Sequence, residues 1–185
     1  WPMKTLYLGI DVGSQSFLAH LKADDGVSIG KSREFLNTPQ GAGELETLLI
    51  STLTTGEYQR LLVGLEATAF YDWHLADFFA ANATLVSRWQ VRVYRLNALR
   101  VSRFHKSTGE IDKTDKVDAS VIADFVRLGR NLPAPHVSGD PYLPLKRLTR
   151  YRFHAVETLQ REVSHFLTHL FVQYSGFSQQ NPLGK

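Results

Sequence analysis

Four carboxylates carry the chemistry this sequence could perform: Asp11, Glu66, Asp115 and Asp118. Asp11 closes the apolar run TLYLGIDV (5–12), and Glu66 closes RLLVGLE (60–66). A carboxylate at the end of a buried strand needs a partner to offset its lost hydration. Asp115 and Asp118 are three residues apart on an expected helix and so share one face near its start. Asp112 competes for one of these positions and ranks below Asp115, because it can precede the helix. Four converging carboxylates would repel one another and raise their own pKa values. Divalent cations relieve that repulsion, and hard oxygen donors suit Mg2+ or Mn2+. Two such ions ~3.5–4 Å apart can clamp the attacking and leaving oxygens of a phosphodiester displacement. Each residue alone also has a plain structural role. An Asp before Gly is a common turn residue, and Asp115 and Asp118 suit a helix N-terminus. The chemistry rests on the combination.

The elements that must position these side chains follow from hydrophobic period. Residues 5–12 and 60–66 read as buried strands, 16–23 as a half-buried strand, and the Asp24-Asp25-Gly26 turn leads to a third strand near 28–36. Leu45, Leu48, Leu49 and Leu53 predict a helix over 42–54. Trp73, Leu75, Phe78 and Phe79 predict another over 71–81, and VRVYRL (91–96) a fifth strand. A basic stretch over 97–113 leads to a helix near 114–129. Pro133, Pro135, Gly139, Pro141 and Pro144 make 131–144 a linker. One long helix is expected over 145–174, with Val156, Leu159, Val163, Phe166 and Leu170 at coiled-coil spacing. Three hairpin-like strands followed by βα units predict an α/β domain with a mixed sheet. The first and fourth strands are natural neighbours there, ~4.8 Å apart, which brings Asp11 and Glu66 to one edge.

Composition narrows the class. The chain has 185 residues, no cysteine and a net charge of +3. Disulfides and cysteine-based zinc sites are excluded, and no apolar run approaches the ~18 residues a membrane helix needs. Trp1 and Pro2 precede the only methionine, Met3, and read as additions to the native start. Charge is uneven: residues 1–87 hold 5 basic and 10 acidic side chains, whereas 88–130 hold 10 and 5. A basic second half is the footprint of a phosphate-backbone binder.

The blocks LGIDVGSQS (8–16), GLEATAFYDWHL (64–75), YRLNALRVSRF (94–104) and KTDKVDASVIADF (113–125) resemble insertion-sequence transposases with an RuvC-like N-terminal domain. These are the DEDD recombinases that include pilin-gene invertases and bridge-RNA-guided elements. The resemblance covers about residues 5–170. It implies a ribonuclease-H-like fold: a mixed five-stranded sheet flanked by helices over 3–130, with a C-terminal helical segment over 145–175. It implies that Asp11, Glu66, Asp115 and Asp118 hold Mg2+ or Mn2+ for DNA strand cleavage and exchange. Arg95, Arg100, Arg103, Lys106 and Lys113 are then the expected nucleic-acid contacts, with DNA, and in some members a guide RNA, as partner. The resemblance also implies a bacterial cytoplasmic, nucleoid-associated protein and a homo-oligomer built through the C-terminal helix. Where the family has Gly, this chain has Ala69. The family's second, serine-bearing domain has no counterpart after residue 175, so the chain reads as an N-terminal catalytic domain. An RuvC-like resolvase and a non-catalytic assembly module are the alternatives. GIDVGS also resembles the phosphate loop of actin-like ATPases, but no second phosphate loop accompanies it. Glu162, His165 and His169 share a helical face, but no second such pair exists to complete a metal site.

Overall fold

The computed structural model describes residues 3–67, 70–107, 119–129 and 131–176. The chain divides into two compact units, Trp1–Gly139 and Asp140–Lys185. In the first, β1 (Thr5–Val12), β2 (Ser16–Lys22) and β3 (Arg33–Leu36) form an antiparallel meander. β1 then pairs in parallel with β4 (Arg60–Glu66), and β4 in parallel with β5 (Gln90–Leu96). The sheet order is β3-β2-β1-β4-β5. This mixed five-stranded sheet with helices on both faces is the ribonuclease-H-like architecture expected from the sequence, and β1 and β4 are neighbours.

The two-residue period of β1 sorts its side chains. Leu6, Leu8, Ile10 and Val12 are buried on one face. They share a core with Leu45, Leu49 and Leu53 of α1 (Pro39–Thr55) and with Leu75 and Phe79 of α2 (Trp73–Ala81). Helix α1 begins three residues earlier than its leucines suggest. Thr38 Oγ1 accepts from the Gly41 amide at 3.2 Å, and Pro39 occupies the first turn, where its missing N–H costs nothing. A short α3 (Ala83–Arg88) follows α2, capped by Asn82 Oδ1 on the Leu85 amide at 2.9 Å.

The opposite face carries Tyr7 and Leu62. They pack with Val101 of α4 (Ala98–Ser107) and with Ile122, Phe125 and Val126 of α5 (Ala119–Leu128). Helix α4 lies where the sequence showed only a basic stretch. Its larger apolar residues are Leu99, Val101 and Phe104; Leu99 is exposed, on the side away from the other two, so no clear period results, and Phe104 meets Phe125 edge-on at 5.3 Å. Helix α5 sits close to the sheet because Gly9 and Gly64 are register partners across β1 and β4. A Cβ on Gly9 would stand 2.0 Å from the Ala119 carbonyl oxygen and 2.4 Å from the Ala123 nitrogen; one on Gly64 would meet the Val126 methyl at 2.5 Å. Lys22 of β2 pairs with Asp124, which also accepts from Arg127 Nε at 3.0 Å, pinning the same helix laterally.

The second unit holds α6 (Leu143–Gln173), 31 residues long, with none of them buried. No described helix is long and apolar enough to cross a membrane.

Replacing Gly9 by Ala drives a methyl into helix backbone, which cannot rotate away, whereas Gly64→Ala meets side-chain tips that can. Gly9→Ala should therefore cost at least the ~1–3 kcal/mol typical of overpacking, and more than Gly64→Ala. Urea unfolding measures both; an unperturbed Gly9→Ala midpoint would mean α5 does not rest on β1.

Candidate active site

The same alternation that buries Leu6, Leu8 and Ile10 turns Tyr7, Gly9 and Asp11 to the α5 face, and on β4 it turns Leu62, Gly64 and Glu66 there. Parallel register aligns Gly9 with Gly64 and Ile10 with Leu65, so Asp11 and Glu66 stand side by side one step beyond the glycine pair. Both are partly exposed. Loss of water first, and the charge of Asp11 second, push the Glu66 carboxyl above its ordinary value. Two like charges thus share the carboxyl edge of neighbouring parallel strands. The first turn of α5 approaches this edge, since Ala119 and Ala123 lie against Gly9.

Asp115, Asp118 and Lys113 lie outside the described residues. Ala119, next in sequence to Asp118, is the nearest described residue to that pair. Among the described residues no group of three His, Cys, Asp or Glu side chains is placed to hold a metal, which includes Glu162, His165 and His169 of α6.

A network of hydrogen bonds that the sequence did not disclose ties the two carboxylate-bearing strand ends together. Asn37, between β3 and α1, donates through Nδ2 to the Gly13 carbonyl at 2.8 Å and to the Tyr71 carbonyl at 3.3 Å. Gly13 lies two residues past Asp11; Tyr71 lies five past Glu66. The Asn37 amide N–H also donates to the Gln15 carbonyl at 2.8 Å. With Nδ2 committed to carbonyls, Oδ1 must face His74 Nε2, 2.5 Å away, and so accepts a hydrogen bond from its N–H. Burial lowers the His74 pKa, against a smaller upward pull from Asp72, so the imidazole is a neutral Nε2–H donor at neutral pH. An asparagine in a turn between strand and helix carries no sequence signal beyond its turn propensity.

The basic residues divide. Arg95, on β5, gives Nε to Asp72 Oδ2 at 2.5 Å and Nη2 to Oδ1 at 3.1 Å, with its guanidinium 4.1 Å from the Trp73 ring centroid. Asp72 is fully buried, so this forked pair anchors the chain between Glu66 and α2 to β5. His136 extends the cluster, bonding Asp77 at 2.9 Å and meeting Trp73 edge-on at 5.4 Å. Arg100, Arg103 and Lys106 are all exposed, on the side of α4 away from the buried Val101.

An α/β domain with paired carboxylates at the carboxyl ends of adjacent parallel strands is thus the class that fold and site define. The model of a transposase family of DEDD type, IS110 group, matches residues 8–174. The chain belongs to that family and is a transposase-type catalytic domain. Among solved structures it is similar to Thermus thermophilus RuvC. One of these, described as in complex with a Holliday junction substrate, is 15% identical with a TM-score of 0.45, covering 71% of this chain and 99% of that one. The other has the same identity and coverage and a TM-score of 0.46. A Ppx/GppA family member from Aquifex aeolicus is 13% identical at a TM-score of 0.32, over 55% of this chain and 37% of that one. No curated protein matches the sequence.

Because the folded-state pKa of Glu66 is raised, its carboxyl stabilises the fold when protonated, and this contribution is lost as pH rises through that value. Glu66→Gln should therefore be more stable than the parent at neutral pH, with the difference vanishing below the ordinary Glu pKa. Thermal melts at pH 7.5 and pH 3.5 measure this; a Gln variant no more stable at neutral pH would remove the like-charge contact. Asn37→Ala leaves the Gly13 and Tyr71 carbonyls to water and should lower stability by about 1–2 kcal/mol. In hydrogen exchange, the gain in rate should concentrate in residues 12–16 and 70–76; uniform acceleration would show that Asn37 does not link these segments.

Proposed function

We propose that this chain is the metal-binding catalytic domain of a DNA transposase or site-specific recombinase, with Asp11, Glu66, Asp115 and Asp118 as its acidic residues. The observation that supports it most is the emergence of Asp11 and Glu66 side by side at the carboxyl ends of the parallel neighbours β1 and β4, where burial first and the Asp11 charge second push the Glu66 carboxyl up. Two carboxylates crowded at one strand edge form an oxygen donor set short of positive charge, which fits Mg2+ or Mn2+. Bound there, a divalent cation supplies charge neutralisation and polarisation of a phosphodiester. Asp11 and Glu66 hold it on rigid strand ends, and Asp115 and Asp118 join them from the segment leading into α5. The approach of Ala119 to Gly9 favours that arrangement. Asn37 and the Asp72–Arg95 pair keep the two strand exits in place.

DNA is the substrate, and a guide RNA is a further partner of the same basic surface. Arg100, Arg103 and Lys106 of α4, with Lys113 beyond it, meet phosphates. Arg95 contributes from behind by fixing Asp72. The apolar stripe of α6, Val156, Leu159, Val163, Phe166 and Leu170, pairs with the same helix of a second copy, making a homo-oligomer. A bacterial cytoplasmic, nucleoid-associated protein follows from these partners.

Calorimetric titration with Mn2+ tests the ligand set. The parent should bind with measurable heat, and Asp11→Asn with Glu66→Gln should abolish it. Unaltered heat in that double variant would refute the assignment.

A further inference from the structure

Helix α6 buries none of its residues, and two different surfaces run along it. At ~3.6 residues per turn, Leu145, Val156, Leu159, Val163, Phe166 and Leu170 fall within about 80° of arc, interrupted by one basic residue, Arg152. Arg147, Arg150, His154, Arg161 and His165 fall within about 60°, roughly half a turn away. No Asp or Glu lies inside that second arc; Glu157 and Glu162 flank it. All five residues are exposed. Arg150 and Arg161 form no ion pair with a described carboxylate. The basic line extends about 27 Å along the helix axis.

The opposition of the two surfaces decides what each can meet. A helix lying on an anionic membrane puts its basic residues beside the apolar face, where they reach the headgroups while the apolar side chains enter the bilayer. Here the basic line is at the far pole, so a bilayer covering the apolar stripe would leave it in water. A second copy of the helix on that stripe likewise leaves the basic line facing outward. Its charged members are arginines, whose forked donors match phosphate oxygens in pairs.

We propose that the Arg147–Arg150–His154–Arg161 face of α6 is a phosphate-binding surface for duplex DNA, in addition to the one on α4. The proposal rests on the reading of this chain as a DNA-acting protein. The helix meets the sugar–phosphate edge and reads no base, so it adds affinity without sequence preference.

The test uses the full chain and a fluorescently labelled duplex of arbitrary sequence, with binding followed by anisotropy over a salt series. Arg150→Ala with Arg161→Ala is compared with Arg100→Ala with Arg103→Ala. Alanine is the better helix former, so α6 should persist, and circular dichroism checks it. The α6 pair should weaken binding about tenfold or more at moderate salt and reduce the log–log salt slope by about two. If the α4 pair lowers affinity and slope while the α6 pair changes neither, the α6 surface is overturned and the DNA reading stands. If the parent chain does not bind duplex at all, both fail together. Loss of binding to phosphatidylserine vesicles in the α6 variant, with duplex binding intact, would also overturn the proposal.

Discussion

The site depends on helix α5 lying against two glycines, its backbone over Gly9 and its Ile122 and Val126 methyls over Gly64. Gly9 and Gly64 face each other across β1 and β4, and at neither position is there room for a Cβ. Their absence of side chain lets α5 approach the central strands closely, at backbone distance over Gly9. Alternation then dictates that Asp11 and Glu66, two residues further on, emerge on that same helix-covered face. Larger residues at 9 and 64 would lift α5 and open the edge where the carboxylates stand. The close fit sets the position of the site from beneath, through a contact that involves no polar atom of the carboxylates themselves.

What that fit brings together is unfavourable electrostatically. Glu66 is partly desolvated and sits beside a second negative charge, so the folded chain holds a local conflict instead of relaxing it. The surroundings resist relaxation. Asn37 spans the two strand exits with three side-chain hydrogen bonds, and Asp72 and Arg95 lock the start of α2 to β5 through a fork. In a site that binds cations, such rigidity is useful. Carboxylates free to turn into solvent would separate, and a cation would have to gather them again at an entropic cost.

The central strands were legible because β1 and β4 are continuous apolar runs whose burial enforces their pairing, and β2 and β5 because they alternate; the exposed β3 is only Arg33–Leu36, shorter than the 28–36 expected. Asp11 and Glu66 were legible because a charge ending such a run is an exception to composition. Helix α4 was not, since Leu99 falls on the side away from Val101 and Phe104 and these few apolar positions among arginines give no period to read. Asn37 was not, because its importance comes from four partners spread from Gly13 to His74, set by the fold and not by neighbouring residues. Arg95 looked like its basic neighbours on α4. What separates it is its place on β5 opposite Asp72, a pairing across 23 positions that no local pattern announces. Asp115 and Asp118 rest on motif alone, beyond the described residues.

The uneven charge of the chain runs parallel to its elements. Residues 1–87, with 5 basic and 10 acidic side chains, supply β1 and β4 and hence Asp11 and Glu66. A phosphodiester approaching that half alone would meet repulsion. The basic side chains lie later, on α4 and α6, where helices present them to solvent in lines. Carboxylates need fixed separation, so they belong on strand ends braced by hydrogen bonds. Arginines gripping a backbone need reach and adjustability, which long side chains on an exposed helix provide. Under the proposed function the strand-borne acids would determine where a cation sits, and the arginines of α4, within the same unit, would offset their repulsion of a polyanion.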